Sequence, residues 1–180
     1  MTEDLPEEEP VEVAAIREGT QACLSGNAAA LVTGPINKAK LSKHGFEHAG
    51  HTNFLGELCG VEHPVMAFVG GPVCVALVTV HVPLAEVAQS LSAAGIEHTV
   101  RVACEALQTR RGIHTPRVGL CGLNPHAGDG ELLGREEIAL IAPAADRLRA
   151  DGYDVRGPMS SEMAFVQAIS GGLDLVVAVV

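Results

Sequence analysis

Short apolar runs alternate along this chain with segments whose apolar residues recur at helical spacing. AAALVT (28–33), VMAFVG (65–70), VCVALVTV (73–80), RVGLCG (117–122) and LDLVVAVV (173–180) each have the length and branched-residue content of one strand. Helical spacing is read over 10–25, over INKAKLSK (36–43), and over a short segment capped by Thr52 or Asn53 and running through Cys59. It is read again over 83–91, over 96–111, over 135–150 with Ile138, Ile141, Ala145 and Leu148 along one side, and from a Ser160 or Ser161 cap to about 169. Strand and helix in alternation predict an α/β fold with a mostly parallel sheet and flanking helices. The uninterrupted run LDLVVAVV suits a strand covered on both faces. Gly71-Pro72, between two β-rich runs, predicts a hairpin that adds an antiparallel element.

The interior such a fold needs is available. Of 180 residues 47% are apolar, and with four Phe, one Tyr and no Trp the core is built from Val, Leu, Ile and Ala. Net charge is −10, but six of the 22 acids fall in the first twelve residues, and the other 16 face 12 Lys and Arg. The acidic start, residues 1–10, is expected to be a disordered, solvated tail, and 11–180 to carry the fold. No cluster of basic residues suits nucleic acid. No apolar run reaches the length of a membrane span, and the start lacks the apolar core of a signal peptide. Cys23, Cys59, Cys74, Cys104 and Cys121 lie far apart with no CxxC, as expected of reduced thiols in a cytoplasmic protein.

Four stretches carry polar groups at strand ends or turns. Thr33-Gly34-Pro35-Ile36-Asn37-Lys38 could hold an anion or cofactor phosphate on backbone N–H groups with Lys38 adding charge; a tight turn beside a solvated lysine explains it equally. It lacks the spacing of a P-loop. Gly50-His51-Thr52 offers a ring nitrogen and a hydroxyl side by side, or a surface turn. His81 follows VALVTV, and His126 sits in NPHAGDGELLG after RVGLCG, so both are expected at strand carboxyl ends, where functional loops of open α/β sheets gather. Neutral imidazole suits a divalent metal, although two do not complete a site; Asp129 or Glu131 could add oxygen. Glu136 and Glu137 are expected to favour a helix N-terminus. No GxGxxG follows a strand, and GxSxG and HExxH are absent.

In their order and spacing, LVTGPINKAKL, AGHTNFLGEL, VALVTVHVPL and GLCGLNPHAGDGELLGREE resemble the 4-hydroxythreonine-4-phosphate dehydrogenase family of pyridoxal phosphate synthesis, together with relatives acting on 4-phosphorylated sugar acids. The resemblance covers about residues 11–180. It implies a two-domain α/β fold like that of the isocitrate and isopropylmalate dehydrogenases, which binds NAD(P) without the usual glycine fingerprint. It further implies a homodimer with its site in the interdomain cleft, a divalent metal (zinc, magnesium, manganese or cobalt) held by His81 and His126, and substrate contacts from His51 and Thr52. The implied reaction is oxidation of the C3 hydroxyl of a small phosphorylated hydroxy-amino acid by hydride transfer to NAD, followed by decarboxylation.

Family members are longer, and the resemblance therefore implies a truncated chain, the central part of the two-domain fold. The family's third metal histidine follows the strand matching LDLVVAVV. Asn53 stands where the family usually has an acid after GHT, and SSEM (160–163) replaces another family stretch. Two alternatives accompany the dehydrogenase reading: an inactive fragment or α/β binding module, and a dehydrogenase of a related phosphorylated sugar acid.

Overall fold

A computed structural model of the chain describes residues 9–44, 46–48 and 50–180. The expected tail, apart from its last two residues, lies outside the described residues. The chain divides into two compact units, one ending at Pro64 and one spanning Val65–Val180.

The first unit is helical. Helix α1 (Val11–Leu24) starts from Pro10, whose missing N–H costs nothing there. Its buried line is Val13, Ile16 and Thr20. Thr20 is tolerated inside because its hydroxyl donates to the Ile16 carbonyl at 2.7 Å. Leu24, at the end of the helix, is 57% exposed. Helices α2 (Lys38–Leu41) and α3 (His51–Leu58) follow, with a 3-10 turn Ser42–His44 between them. Helix α3 begins at His51 after Gly50, without the side-chain cap expected from Thr52 or Asn53. Val13, Ile16, Leu41, Phe46 and Phe54 form the core, with the Phe46 and Phe54 rings edge to face at 5.2 Å. The run 28–33 is not the buried strand its composition predicts. It makes no strand pairing, and Val32 is 91% exposed. β propensity reports fit to a neighbouring strand, and none lies beside it among the described residues.

The second unit is the α/β layer. Strands β1 (Met66–Gly70), β2 (Val73–Leu77), β3 (Arg117–Cys121), β4 (Asp154–Met159) and β5 (Leu175–Ala178) form one sheet in the order β1-β2-β5-β3-β4. The hairpin β1–β2 is antiparallel, and every other pair is parallel. All four residues of β5 are buried. Helices α4 (Val87–Ser90), α5 (Ala93–Arg111), α6 (Ala142–Ala150) and α7 (Ser161–Ile169) complete the unit. Ser92 caps α5 by accepting from the Gly95 N–H, and Gly112 ends it in the left-handed region at φ 68°. Ser160 caps α7 as expected, accepting from the Met163 N–H.

Two elements depart from the sequence reading. Strand β4 was not foreseen because its Gly157-Pro158 reads as a turn. A proline is compatible with β4 because the strand lies at the sheet edge. The segment before α6 is a π-helical turn, Glu137–Ile141. Widening the turn moves the core-facing position back by one residue. Glu137 is therefore buried and Ile138 is 52% exposed, while Ile141, Ala145 and Leu148 stay inside as expected.

At the amino end of the sheet, Asp174 clamps β5 to β3. It accepts from the Arg117 backbone N–H at 2.8 Å and from the guanidinium at 2.8 and 2.9 Å. The Arg117 side chain holds the Asp174 carboxyl below its ordinary value of 3.8, against the opposing effect of burial. A carboxyl depressed on folding adds stability above its unfolded value, and that stability is lost as pH falls. Wild-type protein should therefore lose thermal stability as pH drops below about 3.8, and Asp174→Asn should flatten that limb in a pH series of melting curves. Leu120, fully buried in β3, should cost about 2–5 kcal/mol when changed to Ala, read by urea unfolding; a loss under about 1 kcal/mol would contradict the packing described.

Candidate functional site

The carboxyl edge of the sheet is set by β5 and its two neighbours. Beyond the formal end of β2, Val78 and Thr79 still pair with β5, their N–H groups donating to Ala178 and Val179 carbonyls at 2.9 and 3.2 Å. The Thr79 hydroxyl donates to the Val179 carbonyl at 2.6 Å. His81 follows at φ 60°, exposed just past this anchored end. On the other side of β5, strand β3 ends at Cys121 and the chain enters the turn Pro125–Gly128. His126 lies in that turn at φ 54°, exposed to solvent. The strands bearing the two histidines both neighbour β5, so their ends are about 9–10 Å apart, two strand spacings. Both histidines thus stand at strand carboxyl ends, as the sequence predicts.

The loop carrying His126 is unusual in its backbone. His126, Ala127, Asp129 and Glu131 all have positive φ, between 42° and 79°. Non-glycine residues adopt this region at a cost, and only where surrounding structure imposes it. The imposing group is Glu137, 3% exposed beneath the loop. One of its oxygens accepts from the Asn124 backbone N–H at 2.7 Å and the other from the Asn124 side-chain amide at 3.0 Å. The same amide donates to Glu136 at 2.8 Å, and Glu136 also accepts from the Arg135 N–H at 3.0 Å. Its own backbone N–H first, then the Asn124 amide and the Arg135 N–H, hold the Glu136 carboxyl below the usual carboxylate range, against the opposing effect of burial. A Cβ at Gly128 would come within 2.8 Å of one Glu137 oxygen, and one at Gly122 within 2.9 Å of both the other oxygen and the Ala127 Cα. The two glycines leave the room that the carboxylate fills. Sequence reasoning assigned Glu136 and Glu137 only to a helix start; the π-helical turn that buries Glu137 has no signature in the apolar spacing.

Asp129 and Glu131 are exposed, and Glu131 faces Arg135 at 3.4 Å. The described residues contain no group of three or more His, Cys, Asp or Glu side chains placed to hold a metal ion. Neither acid completes a site with His81 and His126, and the expected oxygen ligand is not found there.

In the first unit, His51 and Thr52 open α3, both half-buried. The His51 Nε2 is buried and has no hydrogen-bond partner among the described residues. A buried polar atom without a partner carries a free-energy cost that a bound group can relieve. The Lys38 side chain lies outside the described residues. Ahead of it, Asn37 accepts from the Lys40 N–H at 3.1 Å, which occupies one of the donors an anion would use. The nearby groove of about 280 Å³, lined by Ile16, Leu31, Val32 and Pro35 among others, is mainly apolar. All five cysteines are free thiols. Burial pushes the Cys104 thiol up to about 11, so it is unreactive at neutral pH.

The sequence model of the family described as pyridoxal phosphate biosynthetic protein PdxA matches residues 4–180. A 4-hydroxythreonine-4-phosphate dehydrogenase of Thioalkalivibrio sulfidiphilus is 44% identical over 153 residues, which is 85% of this chain and 46% of that protein. One of Stenotrophomonas maltophilia is 43% identical over 166 residues, 92% of this chain and 51% of that protein. The chain spans about half the length of these curated relatives. Among solved structures, the 4-hydroxythreonine-4-phosphate dehydrogenase of Klebsiella pneumoniae superposes with a TM-score of 0.87 at 36% identity, covering 93% of this chain and 51% of that one. A terephthalate 1,2-cis-dihydrodiol dehydrogenase of Burkholderia xenovorans superposes with a TM-score of 0.72 at 29% identity, covering 97% of this chain and 59% of that one. With the fold and the family match in agreement, the chain belongs to the PdxA family of pyridoxal phosphate biosynthetic proteins.

Proposed function

We propose that this chain carries the central part of a 4-hydroxythreonine-4-phosphate dehydrogenase, residues 11–180 of a two-domain fold, acting as a cytoplasmic homodimer. The reaction is NAD(P)-linked oxidation of the C3 hydroxyl of 4-phosphohydroxy-L-threonine. A hydride passes from C3 to the nicotinamide, the hydroxyl proton is released, and the resulting β-keto acid loses carbon dioxide. The observation that carries this reading is the pair His81 and His126 on the two strands that flank β5, in a chain of the PdxA family. The orphaned His51 Nε2 supports a substrate contact from His51, with the Thr52 hydroxyl next to it. Lys38 is assigned to an anion or cofactor contact.

A divalent cation (zinc, magnesium, manganese or cobalt) belongs to the same reading, with His81 and His126 as ligands. Two imidazoles fall short of the three protein ligands usual at a catalytic metal, and the described residues hold no larger donor group. Among the described residues the side chains do not make a complete site for the ion.

A second reading keeps the chemistry and changes the substrate to a related 4-phosphorylated sugar acid. It rests on Asn53, exposed beside Thr52, where an acid is usual in the family resembled. A third, a non-catalytic α/β module, is an outcome of the test below.

Purified chain supplied with 4-phosphohydroxythreonine, NAD and a divalent metal should form NADH. The rate should fall on the order of 10⁴-fold below that of a site with a full ligand set, since several kcal/mol of transition-state stabilisation is missing. A folded chain that binds metal yet forms no NADH with this substrate or a phosphorylated sugar acid would favour the non-catalytic module. In cobalt titrations, His81→Ala and His126→Ala should each weaken binding at least about tenfold. Unchanged metal content in His126→Ala would remove that residue from the ligand assignment.

A further inference from the structure

We infer that Glu137 is the positioning residue for His126, holding the histidine's loop in a backbone conformation it does not adopt unaided. The inference rests on the proposed role of His126 as a ligand. Glu137 is itself no ligand, because both its oxygens are turned to Asn124, at 2.7 Å to the backbone N–H and 3.0 Å to the side-chain amide. Asn124 lies two residues before His126, and its carbonyl accepts from the Ala127 N–H at 3.1 Å, closing the turn around the histidine. Fixing Asn124 at two points therefore fixes the turn.

The carboxylate is also a steric template. It fills the spaces where side chains at Gly122 and Gly128 would stand, so the loop wraps it from both sides. Four non-glycine residues at positive φ in one loop are costly, and hydrogen bonds from N–H groups to a buried carboxylate are among the stronger ones available to offset that cost. The device depends on the π-helical turn, which brings position 137 rather than 138 to the interior.

Hydrogen-bond polarity gives a discriminating test. Glutamine at 137 keeps the shape but has one acceptor and one donor, and the donor would meet the Asn124 amide donor. In E137Q, the ring signal of His126 in 1H–13C NMR, identified by its loss in H126A, should shift or broaden. Amide exchange over 124–134 should rise tenfold or more, with Val118, Leu120 and Val176 unchanged. Cobalt affinity should drop about 10–100-fold, the usual effect of removing an outer partner of a ligand.

Should E137Q fail to fold, E137D provides the same reading, since it keeps the charge and both acceptors but withdraws them from Asn124 by one methylene. A folded E137Q whose His126 signal and loop protection match wild type would overturn the inference, and so would an E137D with an unperturbed loop. A loop that changes in E137Q while cobalt binding ignores H126A would leave Glu137 as the loop's anchor and defeat only the ligand assignment.

Discussion

The parallel pairing of β5 with both β2 and β3 is the constraint on which the site depends. Its four residues are all buried, and its neighbours are the strands that bear His81 and His126. At the amino end Asp174 locks β5 to β3 through Arg117, and at the carboxyl end Val179 receives the Thr79 hydroxyl and backbone N–H. The strand is thus held at one end to one neighbour and at the other end to the other. Sliding either pair by a residue would turn buried Val, Leu and Ala toward the opposite face, so register is strongly specified. The ends of β2 and β3 are located by the same interactions that build the core.

What the sheet locates, the loops must orient, and the two histidines are handled differently. His81 sits two residues past the last backbone bond to β5, so the sheet edge itself limits its freedom. His126 is five residues past the end of β3, in a loop with little apolar support of its own: Leu132 and Leu133 are exposed. Such a loop would ordinarily be mobile. A buried carboxylate with two bonds to one asparagine gives it an anchor that a surface loop otherwise lacks. The π-helical turn is therefore an element with a consequence, in keeping with the frequent occurrence of such turns near functional sites.

The α/β class, the hairpin and the last strand were legible because each rests on local signals: branched apolar runs, Gly71-Pro72, and an unbroken LDLVVAVV. The strand-end position of both histidines followed from the same runs. Three features were not legible, each for a nonlocal reason. The run 28–33 has strand composition but no partner strand among the described residues, and pairing is not written in one segment. Strand β4 hides a proline that only an edge position tolerates. Glu137 reads as a surface acid because helical periodicity of 3.6 assigns the inward position to Ile138, and the extra residue in the turn cannot be seen until the helix is built.

The last of these misreadings bears on function. A buried charge is expensive unless paired or hydrogen-bonded, so a fold retains one only where its partners are in place. Glu137 has two bonds to Asn124 and space made by two glycines, all within or beside the stretch GLNPHAG. The residues around His126 are thus accounted for by a single interior group: glycines at 122 and 128 to admit the carboxylate, asparagine at 124 to bind it through both backbone and side chain, and the turn 125–128 closed on that asparagine. On this argument the asparagine and glycines of the stretch serve the geometry of the loop, and the histidine is left with its ring exposed and free for chemistry.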